Sequence, residues 1–217
     1  MNLILAVLFA AGCIYKTDRT RTVDTKNADI IEEKKKVALT FDDGPSLECT
    51  EYLLEGLAER EVKATFFLIG KKAEEYPKLV RKIREGGHVI GNHSYSHVNL
   101  GILSCEEACQ QIQKTNQVIE EAAGVIPQYI RSPFGSTQEN LDCKMDMIEV
   151  LWDVDPRDWE IQNTAQIVNK VVTKVQENDI ILLHDGYEES IAATFEIIDT
   201  LKEEGYEFVT VDELIFE

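Results

Sequence analysis

The sequence predicts an α/β fold built on about seven parallel strands, arranged as a barrel or as a doubly wound sheet. Three observations predict it. Short runs rich in β-branched and aromatic residues alternate with longer stretches whose apolar residues recur at helical spacing. The short runs are nearly continuous in apolarity, as strands buried on both faces are. The polar residues that break the pattern fall at the carboxyl ends of these runs, where parallel α/β folds gather their functional loops.

The expected strands are KVALTF (36–41), ATFFLIG (64–70), HVIGN (88–92), YIRS (129–132), VLWDV (150–154), DIILLH (179–184) and EFVTV (207–211). Between them lie helical stretches at 47–60, 76–86, 104–124, 163–178 and 190–205, and a weaker one at 138–148. Three of these end in Gly, the usual helix stop. Strand–helix alternation implies right-handed crossovers between parallel strands. No internal repeat and no Pro/Gly-rich linker divides residues 37–217, so they form one domain. A chain of 217 residues with 44% hydrophobic content can build its core.

The formal charge of −18 excludes a non-specific grip on nucleic acid phosphates and attraction to anionic lipid. Residues 1–15 contain an uncharged apolar run, NLILAVLFAAGC, too short to span a bilayer comfortably and ending in small residues before Cys13. It reads as an export signal or an anchor, although no Lys or Arg precedes it. The AAGC ending resembles a bacterial lipoprotein processing site, with Ala10 where Leu is more usual. The expectation is an exported protein held to the membrane by a lipidated Cys13, with plain secretion and an uncleaved anchor as alternatives. Residues 16–36 are polar and almost core-free, and read as a tether.

Cys49, Cys105, Cys109 and Cys143 remain, and they allow three disulfide pairings. Cys105 and Cys109 share a helical face. No second close Cys or His pair of zinc-finger spacing accompanies them, so buried or free thiols are expected rather than a metal site.

Asp42 and Asp43 follow the first strand, NHSYSH the third, RSPFG ends the fourth, DPRDW follows the fifth, and His184 closes the sixth. His93 and His97 are four apart, and on a helical turn their imidazoles would stack on one face. Two neutral imidazoles and one carboxylate supply three ligands for a metal such as zinc and leave a position for water. A metal-activated water also needs a carboxylate that is not spent as a ligand, and two adjacent Asp can divide those tasks. His88 precedes its strand and reads as structural, and Asp155 reads as the cap of a turn before Pro156.

The motifs TFDDGP, HSYSH, RSPFG, DPRDW and LLHDG, in this order, resemble the five motifs of the NodB-type polysaccharide deacetylases, carbohydrate esterase family 4. The closing LKEEGYEFVTVDELI is similar as well, so the resemblance covers residues 37–217. It implies a distorted (β/α) barrel of about seven strands and a divalent metal, Zn2+ or Co2+, on Asp43, His93 and His97. It implies Asp42 as the general base braced by Arg131, and His184 as the general acid supported by Asp158. The backbone N–H of Phe134 would hold the oxyanion, and Trp159 and Leu182 would form the pocket for the acetyl methyl. Ser132 departs from the family, which often has Pro there. The implied activity is removal of N-acetyl groups from N-acetylglucosamine polymers by a monomer, with peptidoglycan the first substrate and chitin-type oligosaccharides the second. The rival readings are an acetylxylan esterase, a non-catalytic wall-binding protein, and a non-haem iron oxygenase, which also uses two His and one carboxylate. The strand–helix alternation opposes the last.

Overall fold

The computed structural model describes residues 34–137, 143, 146–161 and 163–216. The expected anchor segment, nearly all of the tether and most of the weak helix at 138–148 lie outside these residues. Seven parallel strands form one sheet: β1 (Lys35–Gly44), β2 (Thr65–Leu68), β3 (Val89–Asn92), β4 (Tyr129–Ile130), β5 (Ile148–Glu149), β6 (Ile180–His184) and β7 (Tyr206–Val209). Their order is β5-β4-β3-β2-β1-β6, with β7 also on β1. Ala38 pairs with both Ile180 and Val209, and Thr40 with both Thr65 and Leu182, so β7 and β2 share one edge of β1. The sheet curls until Val154, beyond β5, bridges Ile181 of β6. This is the distorted (β/α) barrel.

β1 is the central strand, buried at every residue from Val37 to Asp42. It begins two residues inside the expected tether. Lys35 and Lys36 pair with Tyr206 and Glu207, and the Lys35 ammonium lies 5.1 Å from the centre of the Tyr206 ring. The core packs Phe41 against Phe66, ring centres 5.1 Å apart, among Leu39, Leu53, Leu68, Ile181 and Ile197. The fifth strand differs from expectation. VLWDV makes only the single bridge at Val154, and β5 lies just before it. The cause is Arg131, whose guanidinium takes the carbonyls of Val150 and Leu151 at 3.0 and 2.9 Å and so withdraws them from a ladder.

The helices are α1 (Thr50–Glu59), α2 (Gly70–Glu75), α3 (Pro77–Glu85), α4 (Cys105–Ala123), α5 (Thr164–Val172), α6 (Glu188–Glu203) and α7 (Val211–Phe216). α3 starts with Pro at its first turn, where the missing N–H costs nothing. α4 opens on a Ser104–Glu107 capping box and stops at Gly124 with φ 69°, a backbone that Gly adopts freely. α5 stops six residues before its expected end. The short α2 and α7 have no apolar periodicity long enough to announce them. Cys109 is bonded to Cys143, which corrects the expectation of a thiol there. Their Cα atoms lie 5.2 Å apart across 34 residues of sequence, a proximity that helical spacing cannot reveal. Cys49 is buried, as expected, and Cys105 is exposed.

Candidate active site

Strand alternation would send Asp42 and Asp43 to opposite faces of the sheet. The β1–β2 register slips between Asp42 and Gly44, and Asp43 takes φ 69°, a left-handed conformation that Asp tolerates better than most residues. The irregularity brings both carboxylates to one imidazole: Asp42 Oδ2 lies 3.7 Å and Asp43 Oδ1 3.4 Å from His93 Nε2. His93 follows β3, and its Nδ1 lies 2.6 Å from the Arg131 carbonyl oxygen. A carbonyl only accepts, so Nδ1 carries the proton and Nε2 presents its lone pair.

His97 reaches the cluster from a loop, which corrects the expected helical turn. Ser94 and His97 both have positive φ, 59° and 52°. The N–H groups of Gly70 and Lys71, where α2 begins, donate to the carbonyls of Ser94 and Tyr95 at 2.9 and 2.8 Å. Asn92 Oδ1 accepts from Ser94 N–H at 2.8 Å, and Gln111 of α4 accepts from both the N–H and the hydroxyl of Ser96. His97 Nε2 then stands 3.2 Å from Asp43 Oδ1.

Asp43, His93 and His97 each offer one ligand atom, all within 4.8 Å of one another. Tetrahedral ligands on zinc at about 2.05 Å stand about 3.3 Å apart. The two separations at Asp43 Oδ1, 3.4 and 3.2 Å, match that edge, and this buried oxygen has no hydrogen-bond partner among the described residues. The donor set fits a divalent metal. Burial pushes the Asp43 carboxyl up, but the neighbouring imidazoles of His93, His97 and His184 outweigh it and hold it down at about 2. Burial lowers His97, against the pull of Asp43. Both groups thus favour the deprotonated forms that ligation needs.

Asp42 is buried and pairs with Arg131, whose Nη1 donates to Asp42 Oδ1 at 2.8 Å. Arg131 is fully buried. Besides its bonds to the two carbonyls, Nη1 donates to the Thr40 hydroxyl at 2.8 Å, and the guanidinium stacks 4.2 Å from the centre of the Phe67 ring. Every face of this cation is satisfied. Arg131→Met is expected to cost about 3–5 kcal/mol, because it leaves the Asp42 carboxylate buried without its partner. A denaturant midpoint unchanged from the parent protein would disprove the pairing.

His184 stands opposite Asp42 in the β1–β6 register. Its Nδ1 lies 2.8 Å from Asp158 Oδ1, and its backbone N–H donates to Asp158 Oδ2 at 2.8 Å. Burial would lower this imidazole, but the Asp158 hydrogen bond and charge, with Asp42 and Asp43, push it up to about 9. Asp155 accepts from the N–H of Arg157 at 2.7 Å, the expected turn cap.

Phe134 is left-handed, φ 62°, and exposed, with its ring edge-on to His97 at 4.9 Å. Leu182 is buried in β6, two residues before His184 and so on the same face of the strand. Trp159 is half exposed beside Asp158, with the Arg157 guanidinium over its ring. The contacts therefore join Asp42, Asp43, His93, His97 and Arg131 in one cluster, with Phe134 against His97. The His184–Asp158 pair adjoins the cluster through the strand register, whereas Leu182 and Trp159 sit beside that pair only along the chain. His88 is apart from them, buried against Phe66 and held near 4 by burial and by Lys63, with Nδ1 accepting from Ala64 N–H.

Sequence reasoning missed Thr40, Asn92 and Lys72, whose Nζ donates to the Asp43 carbonyl at 2.8 Å. Asn92 bonds the Ile112 carbonyl and the Asn116 side chain of α4 as well as Ser94. Its position inside NHSYSH was the one available signal. Thr40 likewise opens TFDDGP, whereas Lys72 carries no such signal.

A family model described as polysaccharide deacetylase matches residues 29–147. Peptidoglycan-N-acetylmuramic acid deacetylase PdaC of Bacillus subtilis is 41% identical over 190 residues, 87% of this chain. The chain spans 40% of the length of that relative. A peptidoglycan-N-acetylglucosamine deacetylase of Bacillus cereus is 42% identical over 185 residues, 82% of this chain and 67% of that protein. The solved structure of the B. subtilis peptidoglycan deacetylase PdaC superposes with a TM-score of 0.81 at 40% identity, over 84% of this chain and 91% of that one. A curled parallel sheet with an Asp-His-His cluster at the carboxyl ends of its strands, and likeness of this extent in sequence and in structure, have one common explanation: the chain belongs to the polysaccharide deacetylase family.

Proposed function

We propose that this protein is a metal-dependent hydrolase that removes N-acetyl groups from N-acetylglucosamine-type polymers outside the cytoplasm, peptidoglycan first and chitooligosaccharides second. One observation carries the reading. An Asp-His-His cluster of metal-ligand dimensions lies beside a buried carboxyl group that accepts a hydrogen bond from Arg131, and the Asp42↔His184 register sets an imidazole with a raised pKa next to it.

Amide hydrolysis needs a nucleophile at neutral pH, a stabilised oxyanion and a proton for a poor nitrogen leaving group. A divalent ion on Asp43, His93 and His97 would supply water acidity and polarise the acetyl carbonyl. Asp42 accepts the proton of the attacking water, while Arg131 prevents it from swinging in as a further ligand. His184 has its Nδ1 committed to Asp158, which leaves Nε2 to deliver a proton to the departing amine. The N–H of Phe134 faces the oxyanion, and Trp159 and Leu182 enclose the acetyl methyl. Zn2+ and Co2+ both suit a site of two imidazoles and one carboxylate. Lipidation of Cys13 would keep the enzyme at the wall, its polymer being its partner and no second copy being needed.

Acetate release should be measured in parallel from peptidoglycan, chitooligosaccharides and acetylxylan, with chelator followed by zinc or cobalt. Release from the glucosamine polymers, abolished by chelator and restored by metal, is the expected result. Release from acetylxylan alone would make the protein an esterase, and no release from any of the three would leave a wall-binding protein.

The acid role has a pH signature. His184 must be protonated to act, so activity falls as pH rises through its pKa, pushed up to about 9. Asp158→Asn removes the largest of the interactions that raise it, so the alkaline limb of kcat should move to lower pH. A limb that stays in place would assign it to another group. Stability has the same sign: the His184–Asp158 contribution is whole below the ordinary value of 6.5 and is lost as pH rises through about 9.

A further inference from the structure

The strand end that carries both Asp residues is held by a group with no part in the proposed chemistry. Asp185 directly follows His184 and is fully buried. Its Oδ2 accepts from the Thr50 hydroxyl at 2.6 Å, and the same Thr50 oxygen accepts from the Ser46 N–H at 2.6 Å. Its Oδ1 is buried with no hydrogen-bond partner among the described residues. The carboxylate fills the space left by Gly44, where a Cβ would fall 2.4 Å from Oδ2 and 2.9 Å from Cγ. The relay therefore crosses the turn after β1, touching Gly44, Ser46 and Thr50.

Regular pairing between β1 and β6 ends at Asp42↔His184. The next residue of β1 is Asp43, whose left-handed backbone leaves the ladder. From there the ladder no longer sets the spacing of the two strands, and the Asp185 contacts take over. Lys72 of α2 and Ile69 just before that helix complete the grip, donating to the carbonyls of Asp43 and Gly44 at 2.8 and 2.9 Å. A buried carboxylate with an orphan oxygen is expensive, and an apolar side chain would fill the same volume at less cost. The cost makes sense where the group holds geometry.

We propose that Asp185, through the Thr50 hydroxyl and its contact with Gly44, is a positioning residue that fixes the bulge at Asp43 relative to His184. It thereby sets the separation of the metal ligand, the base and the acid. The roles of those three groups rest on the deacetylase reading; the grip on the bulge does not.

The test compares the purified chain with Asp185→Ala, Asp185→Asn, Thr50→Val, Gly44→Ala and the double variant Gly44→Ala/Asp185→Ala. Zinc affinity is read by competition with a chromophoric chelator, kcat and KM on whichever polymer the parent protein deacetylates, and folding by the thermal transition. Asp185→Ala should weaken zinc binding and lower kcat, each by about 10- to 100-fold, as loss of a ligand-orienting partner does, with KM nearly unchanged. Asp185→Asn keeps an acceptor for Thr50 and should recover most of both. Thr50→Val should shift both in the same direction. Gly44→Ala should be damaging alone and add little in the Asp185→Ala background, because both changes break one contact. The proposal is overturned if cooperatively folded Asp185→Ala keeps the parent's zinc affinity and kcat, or if the Gly44 and Asp185 effects simply add. Should Asp185→Ala fail to fold, Asp185→Asn and Thr50→Val decide by the same readouts. A parent protein that binds zinc but releases no acetate would end the deacetylase reading, while the zinc affinities of the variants still decide the role of Asp185.

Discussion

Asp42→Asn is expected to lower acetate release by roughly 10²- to 10⁴-fold, the usual worth of a general base, while zinc remains bound. The prediction separates two adjacent carboxylates that spacing and strand period do not distinguish. Both approach His93 Nε2, Asp43 at 3.4 Å and Asp42 at 3.7 Å. Only Asp43 also reaches His97, and only Asp42 accepts from the buried Arg131. A carboxylate tied to a guanidinium is held back from ligation, and its second oxygen is left to take a proton. Asparagine keeps the shape and can still accept from Arg131, so the fold and the metal should survive and only proton acceptance is lost. Metal analysis beside an acetate assay checks this, and loss of zinc in the variant would reverse the roles of the two Asp.

His93→Ala should bring activity below detection and lower zinc affinity by well over the 10- to 100-fold typical of losing an outer partner. Two features single out His93. Its Nδ1 is tied to the Arg131 carbonyl, so its tautomer is set by the same residue that braces Asp42. It is also buried, whereas His97 is partly exposed and held by a loop, so water can replace His97 as a ligand more easily. His97→Ala should therefore lose metal as well, but excess zinc should recover more of it. Equilibrium dialysis against zinc measures both, and an active, metal-loaded His93→Ala variant would remove the site.

Much of this site was readable because its groups sit in short polar motifs at the ends of apolar runs. NHSYSH, RSPFG, DPRDW and LLHDG could be placed at one mouth from their order along an alternating chain. What escaped that reading depended on contacts between distant segments. The fifth strand was displaced because Arg131 takes the carbonyls of Val150 and Leu151. The Cys109–Cys143 bond joins residues whose neighbourhood no local period reports. Lys72, Thr50 and Asp185 act on the TFDDGP turn from α2, α1 and the end of β6; Asp185 lies inside LLHDG, but nothing in the surroundings of Lys72 and Thr50 marks them.

Local pattern is enough to specify the parallel α/β class, the carboxyl-end location of the polar motifs and the residue types available there. Those features follow from local hydrophobic period and chain order, which act over a few residues. How the residues face one another depends on long-range packing. In a regular strand Asp42 and Asp43 would diverge, and on a helical turn His93 and His97 would stack. Instead, a register slip with a left-handed Asp43 and a loop with a left-handed His97 aim the metal-ligand atoms at one point. Such backbone is locally unfavourable, so it persists only where packing and hydrogen bonds from other elements over-determine it. Here they come from α2, α4, Arg131 and the buried Asp185.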